Sequence, residues 1–240
     1  MDRAALITGG SSGIGLAIAR ALGEDGYRLT LSARRPEKLE EATQGLRDEG
    51  LDVEAVPANM AKEEEISRLV AAHRERCGRL DVLINNAGIG IGGAVADAET
   101  KKLDLQLDVN LRAVYLLARE AIPMLKEAGA EHGKALMANT ASYAGKHGQG
   151  WLAAYSATKF GVVGLSQALH KELSSDGVQV TALCPGFVAT PMTDWVEGQV
   201  PKDQMIQPED IAEAIRFLLR TSRHCVVPEV QFVRPGDSEL

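Results

Sequence analysis

Ala4-Ala5-Leu6-Ile7-Thr8-Gly9-Gly10-Ser11-Ser12-Gly13-Ile14-Gly15 is the stretch that decides the fold. Four apolar residues stop at a run of small ones, and Leu16, Ile18, Ala19 and Leu22 then follow at helical spacing. A short continuous apolar run reads as a buried strand, and three- and four-residue steps read as one face of a helix. Glycines between the two permit a tight turn and a close approach of the backbone. The helix start at about Gly13 offers free N–H groups and a positive dipole end to an anion. Gly9, Ser11, Ser12, Gly13, Ile14 and Gly15 are therefore candidates for cradling a pyrophosphate, with the serines adding hydroxyl donors. Any tight strand-to-helix turn also favours glycine, so the cluster alone leaves a purely structural reading open. The strand before and helix after favour the phosphate.

The same alternation runs outward along the chain. Apolar runs at 4–7, 28–33, 53–56, 80–84, 134–139, 178–183 and 229–233 predict seven strands. Between them, helical spacing is carried by Leu39, Ala42 and Leu46 behind Pro36, by Ile66, Leu69, Val70 and His73, by residues 155–173, and by 208–219. Apolar positions from Leu103 to Leu125 predict one long helix, or two joined near Val109. This pattern specifies an α/β protein, a Rossmann-like, doubly wound, three-layer sandwich with a seven-stranded, mostly parallel sheet. No linker, repeat or low-complexity segment interrupts it. The expectation is a single dinucleotide-binding and catalytic domain over 1–240, with a frayed tail at 237–240.

Composition narrows the function classes. The 240 residues are 45% hydrophobic and 25% charged, ordinary for a globular protein, with 24 glycines as the outlier. The net charge of −7 argues against a general nucleic-acid binder. Cys77, Cys184 and Cys225 lack CxxC spacing, so neither a disulfide framework nor a metal site is expected. No apolar run reaches the ~18 residues of a membrane helix, and the four after Met1-Asp2-Arg3 are too few for a signal-peptide core. These features point to a cytoplasmic protein.

The second strand ends in Ser32-Ala33-Arg34-Arg35. An NAD-preferring site places an acid there to bind the adenosine ribose. Two arginines suit a 2′-phosphate instead, by paired charge-assisted hydrogen bonds, and favour NADP(H). Two solvated surface arginines are the competing reading. Tyr155 and Lys159 lie four residues apart, on one face of a predicted helix. Bringing a phenol of pKa about 10 to neutrality requires ~4 kcal/mol, part of which a fixed ammonium supplies. A tyrosine so tuned is a general acid or base. Ser142 lies just past the fifth strand, where its hydroxyl can hold a carbonyl oxygen beside that phenol. Taken singly, such a pair and such a serine are common.

Together, Thr8-Gly-x-x-x-Gly13-x-Gly15, Asn85-Asn86-Ala87-Gly88, Asn110, Ser142, Tyr155-x-x-x-Lys159 and Pro185-Gly186 resemble the short-chain dehydrogenase/reductase family, in its shorter single-domain branch, over nearly the whole chain. The resemblance implies that Tyr155 gives a proton to the carbonyl. Lys159 would lower the Tyr155 pKa and bind the nicotinamide ribose, Ser142 would orient the carbonyl, and Asn110 would hold a water relaying protons from Lys159. Asn86, Ala87 and Gly88 would line the adenosine side. Pro185, Gly186, Val188 and Thr190 would close over the nicotinamide, with Thr190 binding its carboxamide. Asn59-Met60 stands where the family usually has an aspartate against adenine, and both residues are expected at the cofactor. The ending Val233-Arg234-Pro235-Gly236-Asp237 lacks the Gly-Gly of many ketoacyl reductases, which weakens an assignment to fatty-acid synthesis.

The expected partner is a small carbonyl or alcohol substrate, in a pocket lined by Ala141, Tyr143, His147, Trp151, Phe187 and residues 192–205. His147 reads better as an orienting or surface residue than as a catalyst. Surplus apolar positions on the helices from Leu107 and Tyr155 predict a homodimer or homotetramer. Two other functions fit less well. An epimerase or dehydratase acting on a nucleotide sugar usually has a longer C-terminal domain. A non-enzymatic NADP-binding sensor or scaffold would not need Asn110, Ser142, Tyr155 and Lys159 together.

Overall fold

The apolar runs become the strands of one sheet in a computed structural model that describes residues 3–196 and 198–235. They are β1 (Ala4–Thr8), β2 (Arg28–Ser32), β3 (Val53–Ala55), β4 (Val82–Asn85), β5 (Ala135–Thr140), β6 (Val178–Pro185) and β7 (Glu229–Phe232). Their spatial order is β3-β2-β1-β4-β5-β6-β7, and every neighbouring pair is parallel. The tail at 237–240 and the Gly236-Asp237 ending lie outside the described residues.

Seven helices cover the two faces: α1 (Gly13–Glu24), α2 (Pro36–Asp48), α3 (Glu63–Cys77), α4 (Thr100–Leu107), α5 (Ala113–His132), α6 (Ala153–Leu173) and α7 (Pro208–Arg220). Their ends follow local chemistry. Pro36 sits in the first turn of α2, where its missing N–H costs nothing. Three acids open α3, Arg74 and Arg76 close it, and Gly78 ends it with a left-handed φ of 68°. Period-two alternation in the strands sorts the core into two layers. Ala5, Ile7, Val82, Ile84, Leu136 and Ala138 pack with α1, α2 and α7. Leu6, Leu83, Met137 and Val180 pack with α3, α5 and the end of α6.

The long 103–125 pattern resolves into the second alternative, two helices joined around Val109. Helices α4 and α5 are joined by a π turn, Asp108–Arg112, centred on the buried Asn110. The chain stays helical through Val109 but gains one residue of slack, a device often found at functional sites.

One core group couples the fold to pH. His73 is fully buried; Nε2 lies 3.0 Å from the Arg79 carbonyl and Nδ1 lies 2.8 Å from the Thr30 hydroxyl. A carbonyl only accepts, so Nε2 carries the proton and Nδ1 accepts from Thr30. Burial pulls the imidazole down to about 4. The unfolded chain binds this proton at about pH 6.5, so stability is lost as pH falls from about 6.5 to 4. At ~1.4 kcal/mol per pH unit, the loss from this group between pH 7 and pH 5 is about 2 kcal/mol. Urea unfolding should register that drop, and His73→Leu should flatten it. An equal slope in the variant would assign the acid sensitivity to other groups.

Candidate active site

The strand order reverses between β1 and β4, so the loops after these strands part and leave a crevice at their carboxyl ends. The glycine turn occupies it for steric reasons. Gly9 has φ 67°, and a Cβ on Gly15 would sit 2.3 Å from the Gly9 carbonyl oxygen. Gly13, at φ 53°, opens α1, and a Cβ there would come 2.8 Å from the Thr190 methyl. Ser12 caps α1 without a side-chain hydrogen bond, so no side chain of its own closes the helix start. An anion fits such a terminus.

Thr8, which the sequence reading used only as the first residue of the glycine motif, ends β1 and fastens this edge. Its hydroxyl accepts from the Asn86 and Ala87 N–H groups at 3.0 and 3.1 Å. Asn86 Nδ2 donates back to the Thr8 carbonyl at 3.3 Å, and its Oδ1 accepts from the Thr140 hydroxyl at 3.2 Å. The ends of β1, β4 and β5 are thereby joined through one amide. Arg34 and Arg35 are exposed just beyond β2, and neither guanidinium has a hydrogen-bond or ion-pair partner among the described residues. Two unpaired guanidinium groups and an open helix start fit a dinucleotide with an added phosphate.

Several residues expected at the cofactor are already committed elsewhere. The Met60 side chain is buried in the core with Ile66 and Leu69, so only its backbone is left to line the crevice. Asn59 forms a local turn, its Oδ1 accepting from Ala61 N–H at 3.1 Å. Gly186 N–H donates to the Phe232 carbonyl at 2.9 Å, and Val188 is buried and paired with Ile206. Their side of the crevice is built by packing, and Gly88 and Thr190 remain the open positions.

The four residues of the chemistry-bearing set converge at the ends of β5 and α6. The Ser142 hydroxyl is near enough to the Tyr155 phenol to lower its pKa; Ser142 Oγ donates to the Pro185 carbonyl at 3.4 Å and accepts from Ala144 N–H at 3.1 Å. Lys159 is buried beneath them and donates from Nζ to the Thr140 carbonyl at 2.7 Å. Its Nζ lies 5.6 Å from the Tyr155 ring centre, as the four-residue spacing requires. The electrostatics differ from the sequence expectation. Burial pushes the Tyr155 phenol above its ordinary value, and only the Ser142 hydroxyl opposes this. Burial likewise pulls Lys159 down to about 8. Desolvation sets both directions, with Lys159 buried and Tyr155 half-buried.

Asn110 also has a structural task. Its amide clamps Ile89, donating to the carbonyl and accepting from the N–H, both at 2.8 Å, and its Nδ2 reaches Thr158 Oγ1 at 3.2 Å. The side chain fixes the loop after β4 to α6, with one of the two acceptor sites of its oxygen taken by Ile89. A Cβ on Gly88 would lie 3.5 Å from Lys159 Nζ, so this loop passes directly over the lysine.

Around the mouth, Trp151 has φ 68°, the only positive φ of any non-glycine residue described. Such a conformation costs about 1–3 kcal/mol. Its carbonyl accepts from Gly93 N–H at 2.8 Å, and its ring lies where a Cβ on Gly92 would be, 2.1 Å from the nearest ring atom. Trp195 stands 6.1 Å away between ring centres, and Phe187 meets Trp195 edge-on at 6.4 Å. His147 is exposed and stacked on Tyr143 at 4.6 Å, consistent with an orienting or surface residue. Trp195, Gly92 and Thr140 were not singled out by the sequence, because their roles depend on contacts between separate loops.

A parallel doubly wound sheet with a glycine turn at its switch point, and a serine, tyrosine and lysine at the next strand ends, defines a dinucleotide-dependent oxidoreductase architecture. The model of the short chain dehydrogenases matches residues 3–200, and the chain belongs to that family. A putative ketoacyl reductase of Streptomyces coelicolor is 39% identical over 236 residues, covering 90% of this chain and 89% of that protein. The actinorhodin polyketide ketoreductase, crystallised with NADPH as a variant, superposes with a TM-score of 0.87 at 35% identity, over 96% of this chain and 95% of its own. The 3-ketoacyl-(acyl-carrier-protein) reductase of Brucella melitensis, complexed with NADH, gives 0.88 at 32% identity over 99% and 98%. No helix among the described residues is long and apolar enough to cross a membrane.

Proposed function

We propose that this oxidoreductase is an NADP(H)-dependent ketoreductase, interconverting a ketone and a secondary alcohol. The observation that carries the reading is the convergence of Ser142, Tyr155 and a buried Lys159, whose Nζ lies 5.6 Å from the Tyr155 ring centre and bonds the Thr140 carbonyl, at the strand ends beside the glycine turn. When bound, the nicotinamide supplies or accepts the hydride. The raised pKa keeps the Tyr155 phenol protonated at neutral pH, ready to donate to a carbonyl oxygen. Ser142, beside the phenol, orients the same oxygen. Lys159, near its midpoint at about pH 8, carries a proton that can replace the one given up. Asn110, at the centre of the 108–112 π turn, would hold a relay water through its main chain or the remaining acceptor site of its amide oxygen. Homo-oligomerisation is part of the proposal: Leu103, Leu107, Tyr115 and Phe160 leave apolar surface on α4, α5 and α6.

Solved neighbours are mostly complexed with NADP(H) or an NADP analogue, and one with NADH; within this chain the choice rests on Arg34 and Arg35. Hydrogen bonds to charged groups contribute about 1.5–3 kcal/mol. Arg34→Ala with Arg35→Ala should weaken NADPH binding by about ten- to hundredfold and leave NADH within about twofold, read by nicotinamide fluorescence. Equal effects on the two cofactors would remove the NADP preference. NADPH oxidation with a panel of ketones tests the activity itself, and absence of turnover with every ketone would reject the ketoreductase reading.

A further inference from the structure

Trp151 and Trp195 come from different loops, yet they face each other over the entrance to the Tyr155 site, and they remain 60% and 57% exposed. Large aromatic side chains left in water at a site entrance indicate a ligand that covers them. Three observations show that the arrangement is built. Trp151 keeps a left-handed backbone conformation that glycine would adopt at less cost. Gly92 leaves room for its ring, and Gly93 N–H holds its carbonyl. On the other side, Phe187 supports Trp195 edge-on, and the Arg234 guanidinium lies 5.8 Å over Phe187. The loop bearing Gly92 also carries Gly90, where a Cβ would meet the Tyr155 ring at 3.8 Å, so the pair stands next to the phenol.

We propose that Trp151 and Trp195 form a slot that selects a planar, fused-ring aromatic ketone; this rests on the ketoreductase reading and names its substrate class. The rings are now tilted by 48° with centres 6.1 Å apart. A flat guest needs about 7 Å between faces, two carbon–carbon contact distances of ~3.5 Å, so turning the rings parallel and parting them by roughly 1 Å admits it. Saturated rings are too thick for that gap and lack the face that an indole stacks against.

The chain has only two tryptophans, so its whole indole emission reports on this slot. The probes are 1-tetralone and trans-1-decalone, which share a ten-carbon bicyclic skeleton and differ in planarity. Tetralone should quench the emission saturably, and at least tenfold more tightly than decalone does. The quenching should persist in Tyr155→Phe, which separates binding from turnover. With NADPH, the tetralone-to-decalone ratio of kcat/KM should be at least ten. It should fall to about one in Trp195→Leu and in Trp151→Gly, the latter keeping the backbone conformation without the ring. Equal quenching by both ketones, or a ratio unchanged in both variants, would overturn the slot. Tetralone quenching without turnover would keep the slot and reject the ketoreductase reading instead.

Discussion

Replacing Tyr155 with phenylalanine should lower kcat by about 10²- to 10⁴-fold, the range expected when a positioned general acid is removed. The loss should fall on turnover and spare cofactor affinity. The phenylalanine ring fills the same space beside Gly90, while the hydroxyl beside Ser142 and its transferable proton disappear. Arg34, Arg35 and the start of α1 lie outside this change, so NADPH should bind within about threefold of the parent, well under 1 kcal/mol. Stopped-flow turnover with parallel fluorescence titration makes the comparison. A variant with undiminished turnover would show that another group supplies the proton. Ser142 Oγ would be the first candidate, since it already faces the phenol.

Lys159→Met should give an enzyme at least about 100-fold slower yet no less stable at pH 7. The physical basis is the cost of holding an ammonium inside the protein. Burial takes Lys159 from an ordinary 10.5 to about 8, which corresponds to ~3 kcal/mol of destabilisation while the group is charged. Methionine removes that cost but leaves the Thr140 carbonyl without its donor, a penalty of about 1–3 kcal/mol. The two terms nearly cancel, so the pH dependence decides the matter. The unfolded chain binds this proton up to about pH 10.5 and the folded chain only to about 8. Parent stability should therefore rise with pH above 8, by about 1 kcal/mol between pH 8 and pH 9. Above pH 9 the buried Cys184 thiol, pushed up to about 12, largely cancels the rise, because the unfolded thiol ionises first. Urea unfolding of Lys159→Met should lack the rise between pH 8 and 9. A variant that retains the slope would place the titration elsewhere.

Both predictions concern residues that the sequence had marked, and in both the operative force was absent from it. The spacing of Tyr155 and Lys159 correctly brought the ammonium near the ring. Spacing carries no information about depth, however, and depth sets both pKa directions. Asn110 shows the same limit. Its position was marked, but the commitment of its amide to Ile89 depends on a π turn that widens the helix by one residue. That slack is invisible to a three- and four-residue apolar count, which continues unbroken across it. Met60 was assigned to the cofactor by position, and packing took its side chain into the core.

The amino-acid sequence alone determined the seven strands, the glycine turn between β1 and α1, the cationic end of β2 and the Ser142–Tyr155–Lys159 set. These follow from local periodicity, from the turn chemistry of glycine and from residue type, all of which act over a few neighbouring positions. Tertiary structure alone decided that the sheet is parallel throughout, that Thr8 and Asn86 bind three strand ends together, that Thr140 holds Lys159, and that Trp151 meets Trp195. Each of these joins residues far apart in the chain, and each depends on burial and contact distance, which exist only once the loops have closed over the ends of the strands.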